Sequence, residues 1–284
     1  QRRIAEILSM LDEAIEQTEA QIAKHQQIKA GLMHDLFTRG VTPDGHLRPT
    51  REQAPDLYKE SLLGWIPKEW DVDLIGNVVE SAIDGPFGSN LKTAHYVDEA
   101  GVRVIRLQNI DATRYDDTDK AFIPESHAQA LSRHKVIGGD VIVAALGEDR
   151  HPVGRACLYP QSLPSAINKA DCFRIRCNSL HLSNSFLMSW LNTEFAQPEI
   201  QRFRQGVTLQ RINLSNMKRI SVPLPHLSEQ RVISSRLQQI DDLMLLEEKR
   251  QSNLGFQKTA LMQDLLTGKV RVKVDETEEE LTNA

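Results

Sequence analysis

The chain has 284 residues, 40% hydrophobic and 26% charged, with a formal net charge of -5. That is an ordinary water-soluble composition, long enough for one sizeable domain with extensions or two small ones. The longest apolar run, Val141–Leu146, is far too short to span a membrane, and the net charge argues against a strongly basic nucleic-acid binder.

Charge must be judged by its distribution, because Asp275, Glu276, Glu278, Glu279 and Glu280 crowd the end of the chain and leave the body near neutral. Cys157, Cys172 and Cys177 have no CxxC spacing and no histidine pair beside them. They read as reduced thiols of a half-buried sheet, with neither a disulfide framework nor a metal site expected. No signal peptide opens the chain. It begins at Gln1-Arg2-Arg3, already inside a helical pattern and without methionine, which suggests a fragment or the processed end of something longer. The cytoplasm is the expected compartment.

The first element, over 1–38, is a long helix, and it is the first copy of a repeat. Residues 1–41 align without a gap on residues 230–270, with Gln1, Arg2, Ile4, Leu8, Asp12, Lys29, Leu32, Met33, Asp35, Leu36 and Thr38 recurring as identities. In the first copy Ile4, Leu8, Leu11, Ile15, Ile22, Leu32 and Leu36 form a stripe stepping by four and three. In the second, Ile233, Leu237, Ile240, Met244, Leu254, Leu261 and Leu265 do the same. Polar Thr18, His25 and Lys29 interrupt the first seam, and Glu247, Gln251 and Lys258 the second. Two heptad seams in shared register predict a coiled coil between the two helices, each about 50 Å long at about 1.5 Å per residue. Because one helix enters the middle of the chain and the other leaves it, pairing within the chain must be antiparallel. The register that sets Leu36 near Ile233 also brings Ile4 to Leu265 and Thr18 to Gln251.

Residues 39–64, with Gly40, Pro43, Gly45, Pro49, Pro55 and Gly64, read as a stiff linker with turns. From Trp70 onward the signals are short strands: Val102–Leu107, Val136–Ile137 before the Gly138-Gly139-Asp140 turn, Val141–Leu146, Cys172–Cys177 and Ile220–Leu224. Helices are expected near Pro124–Ser132 and from Ser183 to about Arg204, the latter capped by Gly206. Residues 65–226 therefore predict one mixed α/β domain. The second long helix occupies 227–267 with Ser228 as its N-cap, and 268–284 form an acidic, flexible tail.

The usual catalytic constellations are missing. Leu266-Thr267-Gly268-Lys269-Val270 lacks the spacing and hydroxyl of a phosphate-binding loop, and no G-x-S-x-G, HExxH or zinc-deaminase pattern occurs. Asp84-Gly85-Pro86-Phe87 is similar to the [DN]-P-P-[FY] turn of amino-methylating DNA enzymes, but its second residue is glycine and no methyl-donor unit precedes it. No catalytic residue and no metal ligand is expected in this chain.

Several stretches, in order, resemble one family. Leu63-Gly64-Trp65-Ile66-Pro67-Lys68-Glu69-Trp70 looks like the opening of a target recognition domain in specificity subunits of type I restriction–modification enzymes. Asp84–Lys92, Val104–Ile110 and Gly139-Asp140-Val141-Ile142-Val143 are similar to that domain's early turn and strands. Gln205–Gln210, Val222–Pro225 and Ser228-Glu229-Gln230 resemble its exit into a conserved helix. Such subunits normally hold two recognition domains and two helices, so this chain looks like the C-terminal half. The resemblance implies a non-catalytic, phage-defence subunit that reads one half of a split site on double-stranded DNA. Its helices would hold two readers apart, about 50 Å corresponding to about 15 base pairs. It further implies partners: DNA adenine methyltransferase (modification) subunits carrying the methyl donor, a restriction/translocase subunit using ATP, and a second copy of this chain or a missing N-terminal half. The chain itself needs no cofactor. Two other readings stay open: the specificity subunit of a type II-like fused methylase–nuclease, and a scaffold or family remnant that binds no DNA.

Base reading needs paired donors and acceptors, and phosphate contacts need cations, hydroxyls and backbone N–H groups. The loops offering that mixture contain Ser89, Asn90 and Lys92; Gln108 and Asn109; Arg150 and His151; and Arg204, Gln205, Gly206, Thr208, Gln210 and Arg211. The last loop is the strongest candidate, because it lacks acids and its glycine permits close backbone approach.

Overall fold

The computed structural model describes residues 2–98, 101–267 and 269–270. The expected acidic tail, from residue 271 on, lies outside the described residues. In chain order a mixed α/β stretch lies between two long helices, and the described residues divide into two compact units, Met33–Arg236 and a second drawn from 2–32 and 237–270.

Helix α1 (Arg2–Thr38) opens the chain and contains no proline. It stops where Gly40 takes φ +61, a left-handed conformation that costs glycine little. A Cβ there would overlap Glu229, Trp70 and Arg48. The segment expected to be a stiff linker with turns also carries strand pairing. Its last part is a hairpin of β1 (Tyr58–Ser61) and β2 (Gly64–Pro67), with Tyr58 buried and its hydroxyl donating to the Pro49 carbonyl at 2.5 Å. The four-residue strands are too short to show an alternating pattern.

Then follow β3 (Asp71–Leu74), β4 (Val79–Ile83), β5 (Val102–Ile105), β6 (Phe122–Ile123), α2 (Glu125–Ala130), β7 (Lys135–Val136), β8 (Val141–Ala144), β9 (Leu146–Gly147), β10 (Ala156–Leu158), β11 (Ala166–Asn168) and β12 (Cys172–Cys177). Two four-stranded sheets result, antiparallel β10-β8-β12-β4 and mixed β6-β5-β11-β7, in which only β5 and β11 are parallel. The Gly138-Gly139-Asp140 turn places a buried carboxylate: Asp140 accepts from the Ile137 N–H at 2.9 Å and from Arg176 Nε and Nη2 at 2.8 and 2.9 Å. All four residues of β8 are buried, which is why it reads as a continuous apolar run.

The helix expected over 183–204 is two: α3 (Asn184–Leu191), N-capped by Ser183, and α4 (Gln197–Phe203). Asn192 diverts the chain between them. Its side-chain amide donates to the Ala156 and Met188 carbonyls, each at 2.8 Å, and Pro198 sits at the start of the next helix, where its missing N–H costs nothing. Gly206 is not a helix cap; α4 ends at Arg204 in extended conformation, and Gly206 turns a later loop. Next come β13 (Gln210–Arg211), α5 (Leu214–Met217), β14 (Ser221–Leu224), which pairs with β3, and α6 (Leu227–Leu266). Ser228 lies inside the first turn of α6 and is not its cap; its Oγ is 2.8 Å from His226 Nδ1.

In the Met33–Arg236 unit, Leu36 and Phe37 are buried, the Phe37 ring lying 5.3 Å from Phe186 and 5.6 Å from Trp190. Glu229 accepts the Val41 N–H at 2.8 Å and both Arg48 Nη atoms, at 2.5 and 3.1 Å. Gln230 is fully buried, accepting the Ser183 N–H and donating to the His181 and Pro225 carbonyls. Ser228-Glu229-Gln230 is thus a structural knot.

In the other unit every named seam residue from Ile4 to Leu32 and from Leu237 to Leu265 is buried or half-buried. Lys29 bonds Asp241 at 2.5 Å, Gln251 donates to Glu19 at 2.8 Å, and Lys258 bonds Asp12. Numbers rise on one helix as they fall on the other, so the helices run antiparallel. The Gln251 partner is Glu19, next to the Thr18 expected from sequence. Asp12 aligns with Asp241 in the repeat, and Lys29 with Lys258, so the same bridge is made twice, as in a two-fold pair.

Candidate nucleic-acid interface

Three of the four candidate loops come together. β9 pairs antiparallel with β13, Gly147 opposite Gln210 and Leu146 opposite Arg211. The Gln205 and Arg211 backbones exchange hydrogen bonds at 2.7 and 2.8 Å, closing a loop in which Gly206 adopts φ +86. A Cβ at Gly206 would overlap the Leu209 carbonyl. Val207 and Leu209 stand out from this loop, 91% and 60% exposed. A cleft of about 470 Å³ joins it to the other two, lined by Gln108, Asp111, Glu148, His151, Arg155 and Leu209.

Gln205, Gly206, Thr208, Arg211, Gln108, Arg150 and His151 are exposed and Arg204 is half-buried. Arg211 is paired with Asp171, and His151 Nδ1 lies 3.5 Å from Glu148. Two candidates are corrected. Asn109 is fully buried, its amide spent on the Asp116 and Asp119 carbonyls and its oxygen on the Arg106 N–H. Gln210 is 6% exposed and donates to Asp149 at 3.4 Å. Both are buried within their loops, with their amides turned toward protein groups. Ser89, Asn90 and Lys92 are exposed on a loop anchored differently, through His127 Nε2 at 2.8 Å from the Asn90 carbonyl.

Beside Arg211 lies Asp84, whose carboxyl is pushed up to about 6 by burial and by the neighbouring Asp171, against the lowering pull of the Gly85 N–H and Arg211. Gly85 packs against the Lys169–Ala170 backbone so closely that any Cβ would overlap it. This accounts for glycine where the methylating enzymes have proline. The three thiols are free and buried, which pushes their pKa values up, Cys177 to about 12. Among the described residues no group of three or more His, Cys, Asp or Glu is placed to hold a metal ion, and no helix is long and apolar enough to cross a membrane.

Residues 117–254 match the family described as "Type I restriction modification DNA specificity domain". The match takes in two of the three gathered loops and the Glu229–Gln230 knot. The type I restriction enzyme MjaVIII specificity subunit of Methanocaldococcus jannaschii is 28% identical over 276 residues, covering 96% of this chain and 60% of that protein. The putative MjaX specificity subunit of the same organism is 29% identical, covering 96% and 58%. The chain thus spans somewhat under two thirds of the length of these relatives. In fold it resembles the HsdS subunit from Thermoanaerobacter tengcongensis, with TM-score 0.54 and 15% identity over 93% of this chain and 56% of that one. The S subunit from M. genitalium gives 0.55 and 15% over 92% and 59%.

Arg155 lies in no motif of the sequence, whereas Asp140 and Glu229 sit in the Gly139–Val143 and Ser228–Gln230 stretches without their contacts being legible there. Gln230 did leave a trace, recurring in the repeat as Gln1.

Proposed function

We propose that this chain is a non-catalytic DNA sequence-specificity subunit, or part of one, of a type I restriction–modification enzyme. The observation that carries the reading is that three loops, through Gln108, His151 and Leu209, line one cleft, in a chain whose residues 117–254 match the specificity-domain family. Exposed amides and arginines on short loops suit base edges and phosphates. The two antiparallel helices serve as a coiled-coil spacer, and their near two-fold repetition suits attachment of methyltransferase subunits. Adenine methylation, with its methyl donor, and ATP-driven cleavage belong on those separate chains.

The test is methylome sequencing of cells expressing the chain with its methyltransferase subunit. A new two-part methylated motif is expected. Unequal halves would mean two different recognition domains, and a palindrome would mean two copies of this chain. Absence of any new motif, with no DNA shifted by the purified complex, would overturn the reading in favour of a scaffold. Co-purification of one fused methylase–nuclease would assign the chain to the type II-like class.

A further inference from the structure

Arg155 is 7% exposed, and among the described residues no carboxylate bonds it. Its guanidinium donates only to main-chain carbonyls. Nε reaches Ile110 at 2.8 Å and Nη2 reaches Leu107 at 3.2 Å. Nη1 reaches Leu146 at 3.2 Å, His151 at 3.1 Å and Pro152 at 3.2 Å. The first two acceptors flank the Gln108 turn, and the other three bracket Glu148–Arg150. One planar group is therefore bonded to the backbones of two of the three gathered loops, and the third is tied to β9 by strand pairing.

A buried cation whose direct bonds are all to carbonyl dipoles, with Asp111 and Glu148 acting on it only through space, is a demanding arrangement. The guanidinium has five donors in a fixed fork, whereas lysine offers three on a flexible stem. Packing alone could be met by methionine, so the choice of arginine here points to geometry between the loops. Base discrimination depends on holding paired donors and acceptors in place to a fraction of an ångström. Arg155 lines the cleft but is only 7% exposed, with its guanidinium bonded to these carbonyls.

We propose that Arg155 is a positioning, specificity-determining residue, which sets the spacing of the Gln108 and Glu148–His151 loops so that both meet the same half-site in register. The proposal rests on the DNA-reading function above. It separates two properties that usually move together. Phosphate affinity comes from exposed cations and does not need the loops in register, whereas base choice does.

The experiment compares Arg155→Lys and Arg155→Met with the wild type, each as the full chain in complex with its methyltransferase subunits. Binding is titrated on the methylome-defined site, on single-base-pair variants of it and on unrelated duplex, with amide hydrogen exchange followed over 107–111 and 146–152. Expected in both variants are unrelated-duplex affinity within about twofold of wild type and discrimination in this half-site reduced by about tenfold or more. Exchange should rise in both segments together. Unchanged discrimination, an equal fall in specific and non-specific affinity, or faster exchange in only one segment would overturn the proposal. Loss of cooperative unfolding in both variants would also overturn it, by making Arg155 a core residue. If the wild-type complex prefers no DNA at all, the functional reading fails instead, and joint exchange of the two segments still decides whether Arg155 couples them.

Discussion

Arg211 is half-exposed and its guanidinium pairs with Asp171, while its backbone is locked into β13. Backbone pairing fixes where the side chain starts, and the ion pair holds its free end until a stronger acceptor competes. A DNA phosphate or guanine edge is such an acceptor. Arg211→Ala should weaken DNA binding by the complex and reduce the slope of log K against log salt by about 1 if the contact is to phosphate. A salt titration checks this, and unchanged affinity throughout would remove Arg211 from the interface. Asp84 gives a second prediction. Its folded pKa, about 6, lies above the ordinary carboxylate value. Between those two values the folded state holds a proton that the unfolded state has released, so stability from Asp84 is fully present at low pH. It is lost as pH rises through about 6. The stability advantage of wild type over Asp84→Asn should therefore shrink from pH 4 to pH 7. Urea unfolding at a series of pH values measures it, and a constant difference would refute the assignment.

At the scale of elements, the repeated helix shows how much a local pattern can specify. Heptad spacing marked the buried faces of α1 and α6, and chain direction required them to be antiparallel. The charged pairs then select the alignment. Lys29–Asp241 and Asp12–Lys258 are partly exposed, so each contributes modestly. Asp241→Lys, which sets two lysines together, should lower the unfolding midpoint, and adding Lys29→Asp should restore it. A coupling energy of about 0.5–1 kcal/mol is expected from the double-mutant cycle. Zero coupling would show that the apolar seam alone fixes the register. In the remaining elements the pattern was weaker. Cys172–Cys177 was legible to the residue because both its faces are buried, whereas β4 and β11 sit in turn-rich stretches. The long helix expected over 183–204 was broken by Asn192, whose side chain bonds β10 far away in sequence.

At the scale of the whole molecule, the two compact units predict separable folding. The segment 33–236 should unfold cooperatively by itself, while 39–236 lacks Leu36 and the Phe37 ring that packs on Phe186 and Trp190. Deletion of a buried phenylalanine side chain costs about 3–5 kcal/mol. The shorter segment should therefore be less stable by at least that amount in urea, and equal stability would show that α1 contributes no core. The sequence by itself determined the two long helices, their direction, the mixed α/β domain between them and the type of loop chemistry available. Those features are written in periodicity, turn residues and an internal repeat, all of which act over short range. Only the tertiary structure decided which loops meet and which polar side chains remain free for a ligand. Asn109 and Gln210 look like base readers until the fold shows both buried, and Arg155 looks like nothing until five carbonyls from two loops converge on it. Hydrogen bonds between distant segments leave no spacing in the chain, because a side-chain donor constrains where a loop sits and not which residues the loop contains.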